Sequence, residues 1–123
     1  MIQPQSIVQI TDNSGGKLGR VFKVIGGSKK RYARIGDIVV LSVIKAEPRK
    51  NVKKKDVLRG VVVRQKQALR RKDGSYIRFD DNAVVLIDKE KEEPLANRVF
   101  GPVTRELQEQ GRQKIASMAP EVL

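Results

Sequence analysis

Residues 60–88 read GVVVRQKQALRRKDGSYIRFDDNAVVLID, and the reading of this stretch decides the fold. The run 57–63 is rich in β-branched residues and carries one glycine, the composition of a buried strand. It leads into Arg64, Lys66, Arg70, Arg71 and Lys72, so an apolar strand turns into a basic ribbon. Asp73-Gly74 is a strong hairpin signal, because a two-residue type I′ turn needs positive φ at both central positions. Tyr76, Arg78 and Asp80 alternate with Ile77 and Phe79, the period of a half-buried return strand. Asp80-Asp81-Asn82 turns the chain again, and residues 83–87 read as another core strand. The stretch predicts a hairpin rooted in a hydrophobic core with a basic arm in water. Arg70, Arg71 and Lys72 fall at its tip, where they are expected to be solvated and to add little to stability. Residues 64–72 hold five cations and no acid, a pattern that favours a polyanionic partner over plain solvation.

The whole chain has 123 residues, 39% of them hydrophobic, enough for a single domain with one modest core. With no Trp, three Phe and two Tyr, that core must be built from Val, Ile and Leu. Cysteine and histidine are both absent, which removes disulfides, thiol nucleophiles, the usual zinc sites and the common catalytic triads. Neither an enzyme nor a bound metal, cofactor or small-molecule substrate is expected. The net charge is +12, and it is unevenly spread. Residues 1–72 contain 19 Lys/Arg against 4 Asp/Glu, a balance of +15. Residues 73–123 contain 7 against 10, a balance of −3. The front of the chain is a polyanion binder by charge and the back is ordinary protein surface, so two kinds of partner are expected. The start, Met1-Ile2-Gln3-Pro4-Gln5, has neither a basic n-region nor an apolar h-region, and no apolar run approaches ~18 residues. The expectation is a soluble, intracellular protein with no membrane partner.

Taken in order, Ile7, Val8 and Ile10 mark a first strand, and residues 11–16 are dense turn chemistry in which Asp12 and Asn13 serve as turn residues. Residues 18–25 read as a second strand. Gly26-Gly27-Ser28 then feeds a basic loop of Lys29, Lys30, Arg31 and Arg34 around Tyr32. The glycine pair is no P-loop, since the Gly-Lys-Ser/Thr ending and a following helix are missing. Tyr32 either stacks on a base or packs under the loop. Residues 38–44 form the most apolar strand and belong to the core. Arg49, Lys50, Lys53, Lys54 and Lys55 follow around Asn51 and Val52, in a segment too polar to pack that is expected to order on RNA. Residues 89–94 read as a solvated mixed-charge turn, and residues 98–102 as a short extended piece. Thr104 is placed to cap a helix begun by Arg105-Glu106-Leu107, Gly111 interrupts it, and residues 112–118 form a second short helix stopped by Pro120. The sum is mainly β: a small five-stranded β-barrel over about residues 1–102 with a protruding basic hairpin, and short C-terminal helices over about residues 103–118.

The chain resembles the large-subunit ribosomal protein fourteen family, in the branch of bacterial or organellar length. The resemblance is carried by Gly60 with its three valines, Asp73-Gly74, Phe79-Asp80-Asp81-Asn82-Ala83 and Val85-Leu86. It extends through Met1-Ile2-Gln3-Pro4-Gln5, Asp12-Asn13-Ser14-Gly15, Gly26-Gly27-Ser28, Arg31-Tyr32-Ala33 and Gly36-Asp37. Phe100-Gly101-Pro102-Val103, Arg105-Glu106-Leu107 and Ala119-Pro120-Glu121-Val122-Leu123 continue it to the last residue. The resemblance implies a five-stranded barrel with a small helical lobe, bound to large-subunit ribosomal RNA. It also implies a place at the subunit interface, touching small-subunit RNA across an intersubunit bridge beside ribosomal protein nineteen. A ribosomal silencing factor can dock on the C-terminal face in this family. The sequence departs from the family pattern at Gly16, at Leu95-Ala96-Asn97-Arg98 and in the polar run 108–112.

The function expected is therefore that of a structural, RNA-binding component of the large ribosomal subunit, in the cytoplasm or an organelle. Basic loops sitting between phosphates release counterions and hold RNA helices in place. The expected RNA contacts are Lys29, Lys30, Arg31, Arg34, Arg49, Lys50, Lys53, Lys54, Lys55, Arg64, Lys66, Arg70, Arg71, Lys72 and Arg78. Arg98 and Lys114 are the expected anchors of a protein-docking face, the alternative being that Arg98 pairs with Glu106 or Glu109. The rival reading is an independent nucleic-acid module that cycles on and off RNA.

Overall fold

The β-branched runs become strands in the computed structural model, which describes residues 2–26, 31–50, 52–88, 90 and 93–123. In chain order the strands are β1 (Ile7–Ile10), β2 (Gly16–Val24), β3 (Ile38–Ala46), β4 (Val57–Arg64), β5 (Leu69–Arg70), β6 (Tyr76–Ile77) and β7 (Ala83–Ile87). Two short helices follow, α1 (Glu106–Glu109) and α2 (Gln113–Met118). Strands β1 to β4 run as an antiparallel meander, and β7 closes the barrel between β4 and β1. The closing pair β1–β7 is parallel, with Gln9 opposite Ala83 and Ile10 opposite Val84. Closure leaves no free edge among these five strands, which removes the aggregation hazard of an open sheet. Register shifts along β2 and β3, and one in β4, mark bulges that increase local twist and help the sheet curl.

The core is aliphatic, as the composition requires: Val8, Val21, Val39, Leu41, Val43, Val61 and Leu86 are fully buried. The most apolar strand by sequence is not the most buried one. Burial alternates along β3, whereas every residue of β7 and the run 60–63 of β4 are buried on both faces. Their outer faces are covered because the segment after β7 folds back, with Leu95 N–H donating to the Leu86 carbonyl at 3.1 Å. The same hydrophobic cluster takes in Val99, Val103, Leu107, Ile115 and Ala116 from the C-terminal lobe. A continuous apolar run such as 83–87 is what a strand covered on both sides needs.

The helices obey the expected boundaries but not the expected cap. Thr104 does not cap α1 through its side chain; its hydroxyl is buried with no hydrogen-bond partner among the described residues. The first turn forms through main-chain bonds, Leu107 N–H to the Thr104 carbonyl and Gln108 N–H to the Arg105 carbonyl. At the other end, Gly111 N–H bonds to the Gln108 carbonyl and Arg112 N–H to the Leu107 carbonyl, the paired closure of a Schellman motif. The chain end returns beside residue 103, with Leu123 N–H donating to the Val103 carbonyl at 2.8 Å.

Candidate nucleic-acid interface

Two basic arms leave the barrel. The first is the loop after β3, which one buried side chain ties to the core. Val52 is buried at 4% exposure, and its N–H donates to the Ser14 carbonyl at 3.3 Å. One aliphatic side chain is thus enough to seat a segment that otherwise reads as unable to pack. The Lys50 stem lies over Gly15, where φ is +111° and an added Cβ would collide with it. The Asp56 carboxylate accepts from Lys53 N–H at 2.9 Å and tightens the turn into β4. Arg49, Lys50, Lys53, Lys54 and Lys55 remain exposed, and none is paired with a carboxylate among the described residues. The outcome is a cluster of cations on a shaped loop.

The second arm is the hairpin β5–β6, in which Leu69 faces Ile77 and Arg70 faces Tyr76. Its turn is not the two-residue type I′ form. Only Gly74 takes positive φ, at +88°, while Asp73 does not. Gly74 N–H bonds to the Arg71 carbonyl at 3.1 Å, and Arg71 N–H to the Ser75 carbonyl at 2.9 Å. This is a three-residue loop, a turn closed by one left-handed glycine. The Asp73 carboxylate selects it by accepting from Ser75 N–H at 3.0 Å and from the Ser75 hydroxyl at 2.6 Å. Those bonds, with Arg105 and Arg71 nearby, hold the Asp73 carboxyl below its usual range.

The basic ribbon divides into two kinds of residue. Lys66, Arg70, Lys72 and Arg78 are exposed. Arg64 and Arg71 are not. The Arg64 guanidinium pairs with Asp81 at 3.1 Å, is only 11% exposed and lies against Gly101. Arg71, expected to be solvated at the tip, is 13% exposed in its side chain. Its Nε lies 2.8 Å from Glu106 Oε1, out of line for a hydrogen bond, and its Nη2 donates to Glu106 Oε2 at 3.3 Å. Nη2 also donates to the Leu123 main-chain oxygen. The partners lie 17 and 35 residues away in sequence, beyond the reach of a local charge count.

Of the remaining expected contacts, Arg31 and Arg34 are exposed, while Lys29 and Lys30, with Gly27 and Ser28, lie outside the described residues, as does Asn51. Tyr32 is 45% exposed. Two further side chains lie beside these cations. Tyr76, 66% exposed, stands directly across from Arg70, and Arg105 of the helical lobe lines the same cleft as Arg70 and Lys72, together with Asp73, Glu106 and Glu109. Tyr76 was visible as an outward position on a period-two strand opposite a cation. Arg105 was hidden by the acidic balance of the back half.

Elsewhere the turn residues do structural work. Asp12 is 3% exposed and accepts from Ser14 N–H at 3.2 Å, from the Ser14 hydroxyl and from Leu86 N–H at 3.0 Å. Burial pushes its carboxyl up, against the lowering effect of those bonds. On the C-terminal face, Arg98 does not pair with Glu106 or Glu109; its guanidinium lies 5.4 Å from the Phe100 ring centroid. Lys114 lies 3.6 Å from Glu93, with both side chains more than half exposed. Of the mixed-charge turn, Lys89, Lys91 and Glu92 lie outside the described residues. Among the described residues no three metal-ligating side chains cluster, and no helix is long and apolar enough to cross a membrane.

A closed β-barrel that carries clusters of exposed cations on two arms defines a class, the small basic barrel protein. The family model for ribosomal protein L14p/L23e matches residues 1–123, and the chain belongs to that family. That family is one of structural proteins of the large ribosomal subunit.

Proposed function

We propose that the protein holds large-subunit ribosomal RNA between its two basic arms. The observation that carries this reading is the loop after β3, where Arg49, Lys50, Lys53, Lys54 and Lys55 stand exposed with no carboxylate paired to them among the described residues. Arg49, Lys50, Lys53, Lys54 and Lys55 bind phosphates from this loop. Lys66, Arg70, Lys72 and Arg78 do so from the hairpin, and Lys29, Lys30, Arg31 and Arg34 from the loop after β2. Such contacts displace condensed counterions and fix the register of RNA helices without reading sequence. Tyr32 and Tyr76 add flat faces on which unpaired bases stack. Family membership supports the finer placement: an intersubunit bridge to small-subunit RNA, ribosomal protein nineteen as neighbour, and a location on cytoplasmic or organellar ribosomes. The C-terminal face, with Arg98 and Lys114 as polar anchors, is the docking surface for a silencing factor.

One set of variants tests both faces. Titration of a large-subunit RNA stem-loop at increasing salt is expected to give a log–log slope steeper than about −3, for about six phosphate contacts. A flat slope with retained affinity would refute the electrostatic mechanism. Arg98→Glu and Lys114→Glu are expected to abolish silencing-factor capture with that slope unchanged, and equal capture by wild type and both variants would remove the docking claim.

A further inference from the structure

The hairpin arm and the helical lobe are joined by an ion pair. The hairpin supplies the cation Arg71 to the anion Glu106 of α1, at 2.8 Å. It also supplies the anion Asp73, which lies within electrostatic reach of the cation Arg105. Arg71 additionally bonds the Leu123 main-chain oxygen, so one guanidinium joins the hairpin, α1 and the chain end. A two-stranded hairpin with only two paired residues on each side has too little of its own to hold a direction. Its sheet bonds do not continue into the barrel.

We infer that Arg71 is a positioning residue rather than a phosphate contact: with Glu106 it fixes the hairpin against α1, so that Arg70, Lys72 and Arg105 present one edge to RNA. The inference rests on the RNA-binding reading above, and it reassigns one of that reading's expected contacts. A phosphate reaching Arg71 would have to displace a carboxylate already held beside it in a site where both side chains are at most one-fifth exposed. Arg70 and Lys72, its neighbours in sequence, are exposed and carry no such partner among the described residues. The guanidinium suits this duty because its planar fork engages a carboxylate through two nitrogens, which an ammonium cannot reproduce.

Two substitutions separate positioning from direct contact, because the alternatives predict opposite signs. Glu106→Gln removes a negative charge and releases Arg71. If Arg71 met phosphate directly, this variant would bind RNA as well as wild type or better. A clamp predicts the reverse: a Kd for the stem-loop higher by on the order of tenfold, and a salt slope shallower by about 1 to 2, although every cation is intact. Arg71→Lys keeps the charge but not the fork, so a clamp predicts a similar loss and a phosphate contact predicts near-wild-type binding. Hydrogen exchange across residues 69–77 of the free protein gives a reading independent of RNA, and it is expected to quicken in Glu106→Gln while β4 and β7 stay protected. Unchanged exchange, or RNA binding by Glu106→Gln equal to or tighter than wild type, overturns the inference. Wild-type protein that fails to bind the stem-loop overturns the RNA reading itself, and the positioning role with it.

Discussion

The two basic arms carry similar charge and are held by different physics. The loop 47–56 is seated by an aliphatic side chain, Val52, and by a lysine stem laid over Gly15. The hairpin has Leu69 and Phe79 packed against the core as well, but its tip is held by an ion pair, Arg71 on Glu106, and its root by another, Arg64 on Asp81. Burial of apolar area is indifferent to salt and to the protonation of neighbours, whereas ion contacts respond to both. The anchor of the loop should therefore be insensitive to salt, whereas the ion pairs that hold the hairpin tip and root should weaken as salt rises.

The largest expected effect comes from removing the aliphatic anchor. Val52→Ala deletes two buried methyl groups and should lower stability by about 2 kcal/mol in urea unfolding. The same loss is expected at about 0.1 M and about 1 M salt, because the Debye length, which falls from ~10 Å to ~3 Å, does not enter. A cost that shrank with salt would show the loop to be held by charge after all, and the contrast between the arms would collapse.

A smaller effect is expected at the root of the hairpin. Arg64→Met keeps the aliphatic stem but removes the guanidinium that lies against Gly101 and pairs with Asp81, which is one-quarter exposed and can turn to water. The cost should be about 1 kcal/mol at low salt. Here the cost should decrease as salt rises, opposite to the loop variant. A salt-independent loss would mean that Arg64 acts through packing alone, and would place both arms in one class.

This difference in anchoring also explains what the sequence revealed. Residues 60–63 and 83–87 were legible as core because β-branched runs have one low-energy use, although the same reading took in Val57, which is 61% exposed; the barrel follows from having enough of such runs between turn residues. The hairpin was legible at Asp73-Gly74, though its turn type was not: the Asp73 carboxylate binds Ser75 and selects a three-residue loop. Val52 was missed because one valine among five cations carries no periodicity. Arg64 and Arg71 were counted with the exposed cations because nothing local distinguishes them from Arg70. Their carboxylates arrive from residues 81 and 106, and only the folded chain brings them near. Charge composition thus pointed to the two basic arms and could not divide their cations into those that stand exposed and those that pair with carboxylates.

The smallest expected effect concerns pH, and it sharpens the contrast because each arm leans on one aspartate. Asp12 lies in the turn that receives the loop and is raised by burial; Asp73 lies at the hairpin tip and is lowered by its bonds to Ser75. The ordinary value for both is 3.8. Asp73 has a folded value below the unfolded one, so its contribution is complete above 3.8 and is lost as pH falls through its lowered value. Asp12 has a folded value above the unfolded one, so the folded chain takes its proton first. Stability from this group then grows as pH falls from the raised value toward 3.8, and neutral pH is where its buried charge weighs against the fold. Carboxyl chemical shifts should therefore give Asp12 a midpoint above 3.8 and Asp73 a midpoint below it. Between the two midpoints both arms should keep their amide protection. Below the lower one, exchange at Ser75 should quicken while Val52 stays protected, because its anchor has no proton to gain. Midpoints in the reverse order, or loss of protection at Val52 before Ser75, would show that the loop depends on the Asp12 charge and that the hairpin does not depend on Asp73.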